Sequence, residues 1–339
     1  MKTKRTLLWI IVGAIALPAN LFAEEIAVVL PESLGLSSGR LQRITASVEE
    51  LIQQEQLAGA VTLVARRGQV AYFEATGWQD KENRVPMEKD TIFRIASMTK
   101  PITSVAVMML YEEGHFRLSN PIAKFIPEFS NSTVLNTEGE TEGDTQVVNA
   151  RRGITIHDLL THTSGLTYQS DPLIGPKYYE AGITHGIIED PGTIGDSIKK
   201  LAGVPLLHHP GERFTYGLSA DVLGYFVEVV SGMPLDEFFN ERIFHPLGMT
   251  DTSFFLNEPD ITRLATVYAM GSNAKIVRET RPRIMDGSWV YSTTYPFKGA
   301  KRYFSGGGGL CSTTGDYYRF CKMLLDNGQT ANGRVLGLK

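Results

Sequence analysis

Ser97-Met98-Thr99-Lys100, running on into Pro101-Ile102-Thr103-Ser104-Val105-Ala106-Val107-Met108-Met109-Leu110, is the stretch on which the reading of this chain turns. Ile102, Val105, Ala106, Met109 and Leu110 recur at helical spacing, and Gly114 marks the end of the helix they define. Ser97 then stands at the helix start with Lys100 one turn on, so the two side chains share a face. A serine hydroxyl is a weak nucleophile near neutral pH and needs a neighbouring base. Unpaired N–H groups at a helix start favour a developing oxyanion. The same positive pole, together with burial, favours the neutral amine that a base requires. Ser-x-x-Lys alone is common, and a capping serine beside a solvated lysine reads the same way, so the rest of the chain decides its meaning.

Upstream, Leu41, Ile44, Val48, Leu51 and Ile52 give residues 38–57 an amphipathic helical pattern. Two β-rich runs follow, 60–65 and 70–75, joined by Arg66-Arg67-Gly68-Gln69, which predicts an antiparallel hairpin. At the start of the chain Lys2, Lys4 and Arg5 precede an eleven-residue apolar run over 7–17, with small residues at Ala19 and Ala23. That is the pattern of a secretory signal peptide over residues 1–23, cut near Ala23. Eleven residues are too few to cross a bilayer core as a helix, a retained N-terminal anchor being the alternative. The remaining residues, 24–339, are expected to be periplasmic or secreted, with no stable membrane insertion. Of the 33 Lys and Arg, three fall in the signal; the 30 left face 37 Asp and Glu, a net charge of −7. Such a balance argues against nucleic acid or an anionic membrane as partner.

Downstream, 121–129 is a Pro-punctuated connection, and the polar, acidic stretch 131–152 loops out as solvated surface. Short helices fit 156–160, 194–202, 221–230 and 235–244, while 251–304 reads as mixed strands and loops. A last helix is expected over 313–325, with Thr313 and Asp316 as a capping-box-like pair and Tyr317, Phe320 and Leu324 on its buried face. Strands early, helices in the middle and strands returning late make an α/β layer with an inserted, mostly helical domain over about 98–250.

Tyr216 closes Pro210-Gly211-Glu212-Arg213-Phe214-Thr215-Tyr216, just before the helix carrying Val222, Leu223, Phe226 and Val227. Beside a lysine ammonium its phenolate is favoured, and it could take a proton from serine and later pass it to a leaving group. The segments Ser97-Met98-Thr99-Lys100, Leu159-Leu160-Thr161-His162-Thr163-Ser164-Gly165-Leu166, Tyr216-Gly217-Leu218-Ser219, Pro246-Leu247-Gly248-Met249 and Gly308-Gly309-Leu310-Cys311-Ser312-Thr313 occur in one order. This series resembles the serine β-lactamase-related superfamily of class C β-lactamases, DD-peptidases and family VIII carboxylesterases, from about residue 30 onward. The resemblance implies a β-lactamase/transpeptidase-like fold, an antiparallel sheet flanked by helices with the helical insertion. It also implies Ser97 as the acylated nucleophile, Lys100 as its partner and Tyr216 as general base and acid.

Two departures bear on activity. Where class C β-lactamases carry Tyr-x-Asn, this chain has Leu218, a substrate-binding position without a side-chain amide, which disfavours amide substrates against esters. Nothing after Tyr216 matches the family's third motif (Lys-Thr-Gly, His-x-Gly or Trp-Gly-Gly), so the expectation is a chain truncated at the C-terminus, its last strands missing. The expected activity is ester hydrolysis on a small-molecule ester or β-lactam-like substrate. A β-lactamase or DD-peptidase, a non-catalytic cell-envelope binding protein and an inactive fragment are the alternatives.

Other groups carry less. His157 and His162 lie five apart and His208-His209 precede Tyr216, but the spacing is not His-Glu-x-x-His and no acidic third ligand is placed. By the resemblance, His162 supports a loop near the site. The run Gly306 to Gly309 lacks a following Lys-Ser or Lys-Thr, so close backbone packing is expected of it rather than a phosphate cradle. Cys311 and Cys321 are buried thiols by default, with a local bridge open. No metal or organic cofactor is implied.

Overall fold

The computed structural model describes residues 26–136, 146–281, 283–286, 289–330 and 333–337; the expected signal segment and residues 137–145 of the acidic stretch lie outside them. Helix α1, Ser38–Gln53, begins where the Ser37 hydroxyl accepts the Arg40 N–H. Strands β1, Gly59–Arg66, and β2, Gln69–Asp80, pair antiparallel from Gly59↔Gly77 to Arg66↔Gln69. The two turn residues, Arg67 and Gly68, both take positive φ (53° and 73°), the twist a two-residue hairpin demands. A short strand β3, Val85–Pro86, joins the far side of β2, giving the sheet order β1-β2-β3. Helix α1 packs on β2, and the helix Thr314–Leu325 packs on β1. This is the mixed layer of helices on an antiparallel sheet that was expected.

Beyond the sheet, helix α2, Thr99–Glu112, crosses the helix Ser219–Ser231. Ile102, Ala106 and Val107 of the first meet Val222, Phe226 and Val227 of the second in one hydrophobic core. Phe116, Phe125 and Phe226 meet edge to face at 4.9–6.2 Å, the geometry that ring quadrupoles favour. Burying each such ring contributes roughly 2–3 kcal/mol. Strand β4, Phe93–Arg94, runs into α2 and pairs with Cys311–Ser312. The Arg94 guanidinium donates to the carbonyls of Tyr295 (2.7 Å), Thr293 (2.5 Å) and Ala265 (3.2 Å), tying two late loops to the strand that leads to Ser97.

Several expectations are corrected. The 131–152 stretch is not all loop: β5, Thr133–Asn136, and β6, Gln146–Asn149, pair antiparallel, with Val134 and Leu135 buried. Charge around 138–144 hid two short apolar runs there. The helix over 235–244 stops at Phe239, gives way to a π turn, Asn240–Phe244, and ends at Gly248 with φ 67°. In the last helix Phe320 and Met323 are buried while Leu324 is exposed, so the face is rotated from the one expected. Thr313 accepts the Asp316 N–H, but the Asp316 carboxylate does not reach back. It accepts instead from the Asp251 N–H (2.8 Å) and the Thr252 hydroxyl (3.0 Å), tying the helix start to a distant loop. Cys311 is buried, Cys321 exposed, and both are free thiols.

Candidate active site

Ser97 sits in a tight turn, Ala96–Met98, that feeds straight into α2. Ala96 takes φ 43°, a left-handed conformation that costs a residue bearing a Cβ and persists only where surroundings enforce it. They do. Ile95 N–H donates to Leu310 O (3.0 Å), Leu310 N–H to the Thr99 hydroxyl (3.2 Å), and the Tyr317 hydroxyl to Met98 O (3.0 Å). Ser97 opens the helix, so its own N–H is among those a helix start leaves without an intrahelical partner.

Two groups converge on the Ser97 hydroxyl. Lys100 Nζ donates to Ser97 Oγ at 3.0 Å and to the Gly307 carbonyl at 2.7 Å. The Tyr216 hydroxyl reaches the same Oγ at 2.7 Å from 119 residues away. Lys100 Nζ also lies 4.6 Å from the centre of the Tyr216 ring, a cation–π contact that fixes both groups. Ser97 is exposed and Tyr216 half exposed, so the cluster opens to solvent rather than lying in the core.

The loop carrying Tyr216 is stiffened around it. Its ring packs against His162 (5.0 Å between centroids) and edge-on to Tyr168 (5.6 Å). Thr215 N–H donates to His162 O at 2.7 Å, and Thr215 Oγ1 bonds His208 Nε2 at 2.8 Å. Burial, and then the Lys100 charge, push the His162 imidazole down to about 4, so it stays neutral at physiological pH. The two histidines thus lie beside the site as supports. Among the described residues no group of three His, Cys, Asp or Glu is placed to hold a metal ion.

Leu218 is not where a substrate-contacting side chain should be. It is 2% exposed and packs in the main core, at the N-cap of the Ser219–Ser231 helix. Only its backbone faces the loops of the site, through N–H to Thr167 O at 3.3 Å. The expectation of a substrate-binding side chain at Leu218 is corrected: a leucine in an apolar niche follows the core. The glycine run does pack closely, since a Cβ at Gly306 would lie 2.6 Å from Ala220 O. What sequence reasoning missed is Asp221, a carboxyl sealed beneath this run at 1% exposure, whose signal is only a charge on the apolar face of a helix.

A helix-borne serine with a lysine one turn on and a tyrosine from a distant loop, set between a sheet and a helical lobe, defines a β-lactamase-fold serine hydrolase. The Beta-lactamase family model matches residues 44–337, and the chain belongs to that family. It is 38% identical over 293 residues to Protein Rv1367c of Mycobacterium tuberculosis, covering 86% of this chain and 68% of that protein. With Esterase EstB of Burkholderia gladioli it shares 33% identity over 308 residues, covering 88% and 73%. Among solved structures, EstCE1, described as a hydrolase with promiscuous acyltransferase activity, superposes with a TM-score of 0.74 at 29% identity, over 90% of this chain and 75% of that one.

Proposed function

We propose that this protein is an exported hydrolase acting through an acyl-serine on carboxylic esters, with Ser97 as nucleophile and Lys100 and Tyr216 as its proton-handling pair. The observation that carries the reading is the Ser97 hydroxyl approached by Lys100 Nζ at 3.0 Å and by the Tyr216 hydroxyl at 2.7 Å. With Tyr216 as phenolate beside the Lys100 ammonium, the phenolate takes the Ser97 proton as Oγ adds to the ester carbonyl. The Ser97 N–H at the helix start faces the oxyanion that forms. Tyr216 then hands the proton to the departing alcohol, leaving acyl-Ser97. Water gives a proton to the same pair, adds to the acyl carbon, and Oγ leaves with its proton restored. Acid–base assistance of this kind is worth about 10²–10⁴ in rate.

The ester preference is supported by the likeness to EstB. The export reading rests on the basic head and apolar run within residues 1–23, with 24–339 as the hydrolase domain and its helical insertion over about 98–250. Three assays test these points. A fluorophosphonate probe should label the protein and fail on Ser97→Ala; equal labelling of both removes the nucleophile assignment. p-Nitrophenyl butyrate should turn over faster than nitrocefin, and the reverse order makes the protein a β-lactamase or DD-peptidase. N-terminal sequencing of exported protein should begin near residue 24. A non-catalytic envelope protein would instead bind cell-wall material with no burst of acyl product.

A second reading is acyl transfer, in which an alcohol replaces water on acyl-Ser97. It is supported by the likeness to EstCE1, and product analysis with an added alcohol as acceptor distinguishes ester exchange from hydrolysis.

A further inference from the structure

Asp221 touches neither Ser97 nor the cleft, yet a chain of bonds runs from it to Lys100. Its Oδ1 accepts from the Ser305 hydroxyl at 2.6 Å and from the Gly307 N–H at 3.2 Å. Gly307 turns its carbonyl the other way, to Lys100 Nζ, while the neighbouring Gly306 carbonyl accepts from the Thr103 hydroxyl at 2.7 Å. A Cβ on Gly307 would overlap Asp221 Oδ2, so carboxyl and turn are packed with no slack. Oδ2 itself is buried with no hydrogen-bond partner. The two donors on Oδ1 are therefore what holds the carboxyl in place against the turn.

We propose that Asp221 is a positioning residue for Lys100: it clamps the Ser305–Gly307 turn so that the Gly307 carbonyl holds the lysine against Ser97. The inference rests on the hydrolase reading above. Burial pushes the Asp221 carboxyl up, opposed first by the Ser305 hydrogen bond and then by the Lys100 charge. The other titratable groups facing it are Tyr168, Tyr295 and Tyr303. All three phenols are pushed up, by burial first and with the Asp221 charge adding, so they stay neutral. Lys100 on α2 is the cation among its neighbours.

The test is the rate of Ser97 labelling by a fluorophosphonate against pH, on the full chain, for the parent, Asp221→Asn, Asp221→Ala and Ser305→Ala, with a thermal melt on each. An asparagine oxygen still accepts both donors but carries no charge. D221N keeps both accepted hydrogen bonds and so keeps the turn in place, and as the conservative variant it should retain a labelling maximum within about threefold of the parent's. D221A frees the turn and should lower the maximum by about 10–100-fold, as a displacement near 1 Å does to a catalytic group. Should D221A fail to fold, S305A removes one of the two donors and should slow labelling several-fold with a near-parental melt. A D221N maximum as low as that of D221A, or parental rates in S305A or folded D221A, overturns the proposal. Labelling of the parent that survives Ser97→Ala would overturn the hydrolase reading instead.

Discussion

Replacing Tyr216 by Phe removes one oxygen, the hydroxyl 2.7 Å from Ser97 Oγ, and leaves everything else the ring does. The ring keeps its contacts with His162 at 5.0 Å and Tyr168 at 5.6 Å, and the Lys100 ammonium still has a π face at 4.6 Å. The lost hydrogen bond joins two exposed side chains, so the cost in stability is about 1 kcal/mol or less. The cost in rate is set by the proton transfer and should be about 10²–10⁴ in kcat/KM, or roughly 3–5 kcal/mol of barrier at 1.36 kcal/mol per decade. The loss should fall on kcat, because the hydroxyl contacts the nucleophile and not the substrate. Initial rates on p-nitrophenyl butyrate, with a melt as control, measure both. A Y216F enzyme within about threefold of the parent, when Ser97→Ala is inactive, would refute the role given to the phenol and leave Lys100 as the base.

Leu218→Asn should bury an amide without partners and cost about 2–5 kcal/mol, seen as a lower melting temperature with no gain on nitrocefin; faster nitrocefin turnover at an unchanged melt would place the side chain in the cleft after all. Burial raises the Asp158 carboxyl, but hydrogen bonds from Arg152 and Thr155 outweigh it and bring it down to about 2. Its folded value lies below its unfolded one, so its contribution is present above about pH 4 and is lost as pH falls toward about 2. Urea midpoints of the parent and D158N should therefore converge over that interval and differ most above it. His162, pushed down to about 4 by burial, likewise contributes stability that is complete above about pH 6.5 and is lost as pH falls to about 4. His162→Asn, which tolerates the φ of 56° at that position, should flatten the acid side of the stability curve between those values; an unchanged slope would mean the imidazole is not desolvated.

The sequence by itself determined what is local. Helical spacing of Ile102, Val105, Ala106 and Met109 fixes the face that α2 buries, and with it the placement of Ser97 and Lys100 one turn apart, because three-residue neighbours on a helix must be adjacent. The β1–β2 hairpin was equally legible as a pair, since a Gly-bearing turn between two β-rich runs folds them antiparallel, whereas the register shift between Val64 and Ala65 was not. Tertiary structure alone decided what is distant. Tyr216 meets Ser97 only because the Ser219–Ser231 helix packs across α2, and no periodicity encodes that crossing. The same crossing buries Leu218, where a motif comparison had set a substrate contact, and seals Asp221 behind Gly307. Spacing along a chain reports neighbours within an element, whereas contacts between elements follow from which apolar faces are covered together, and only the packed core states that.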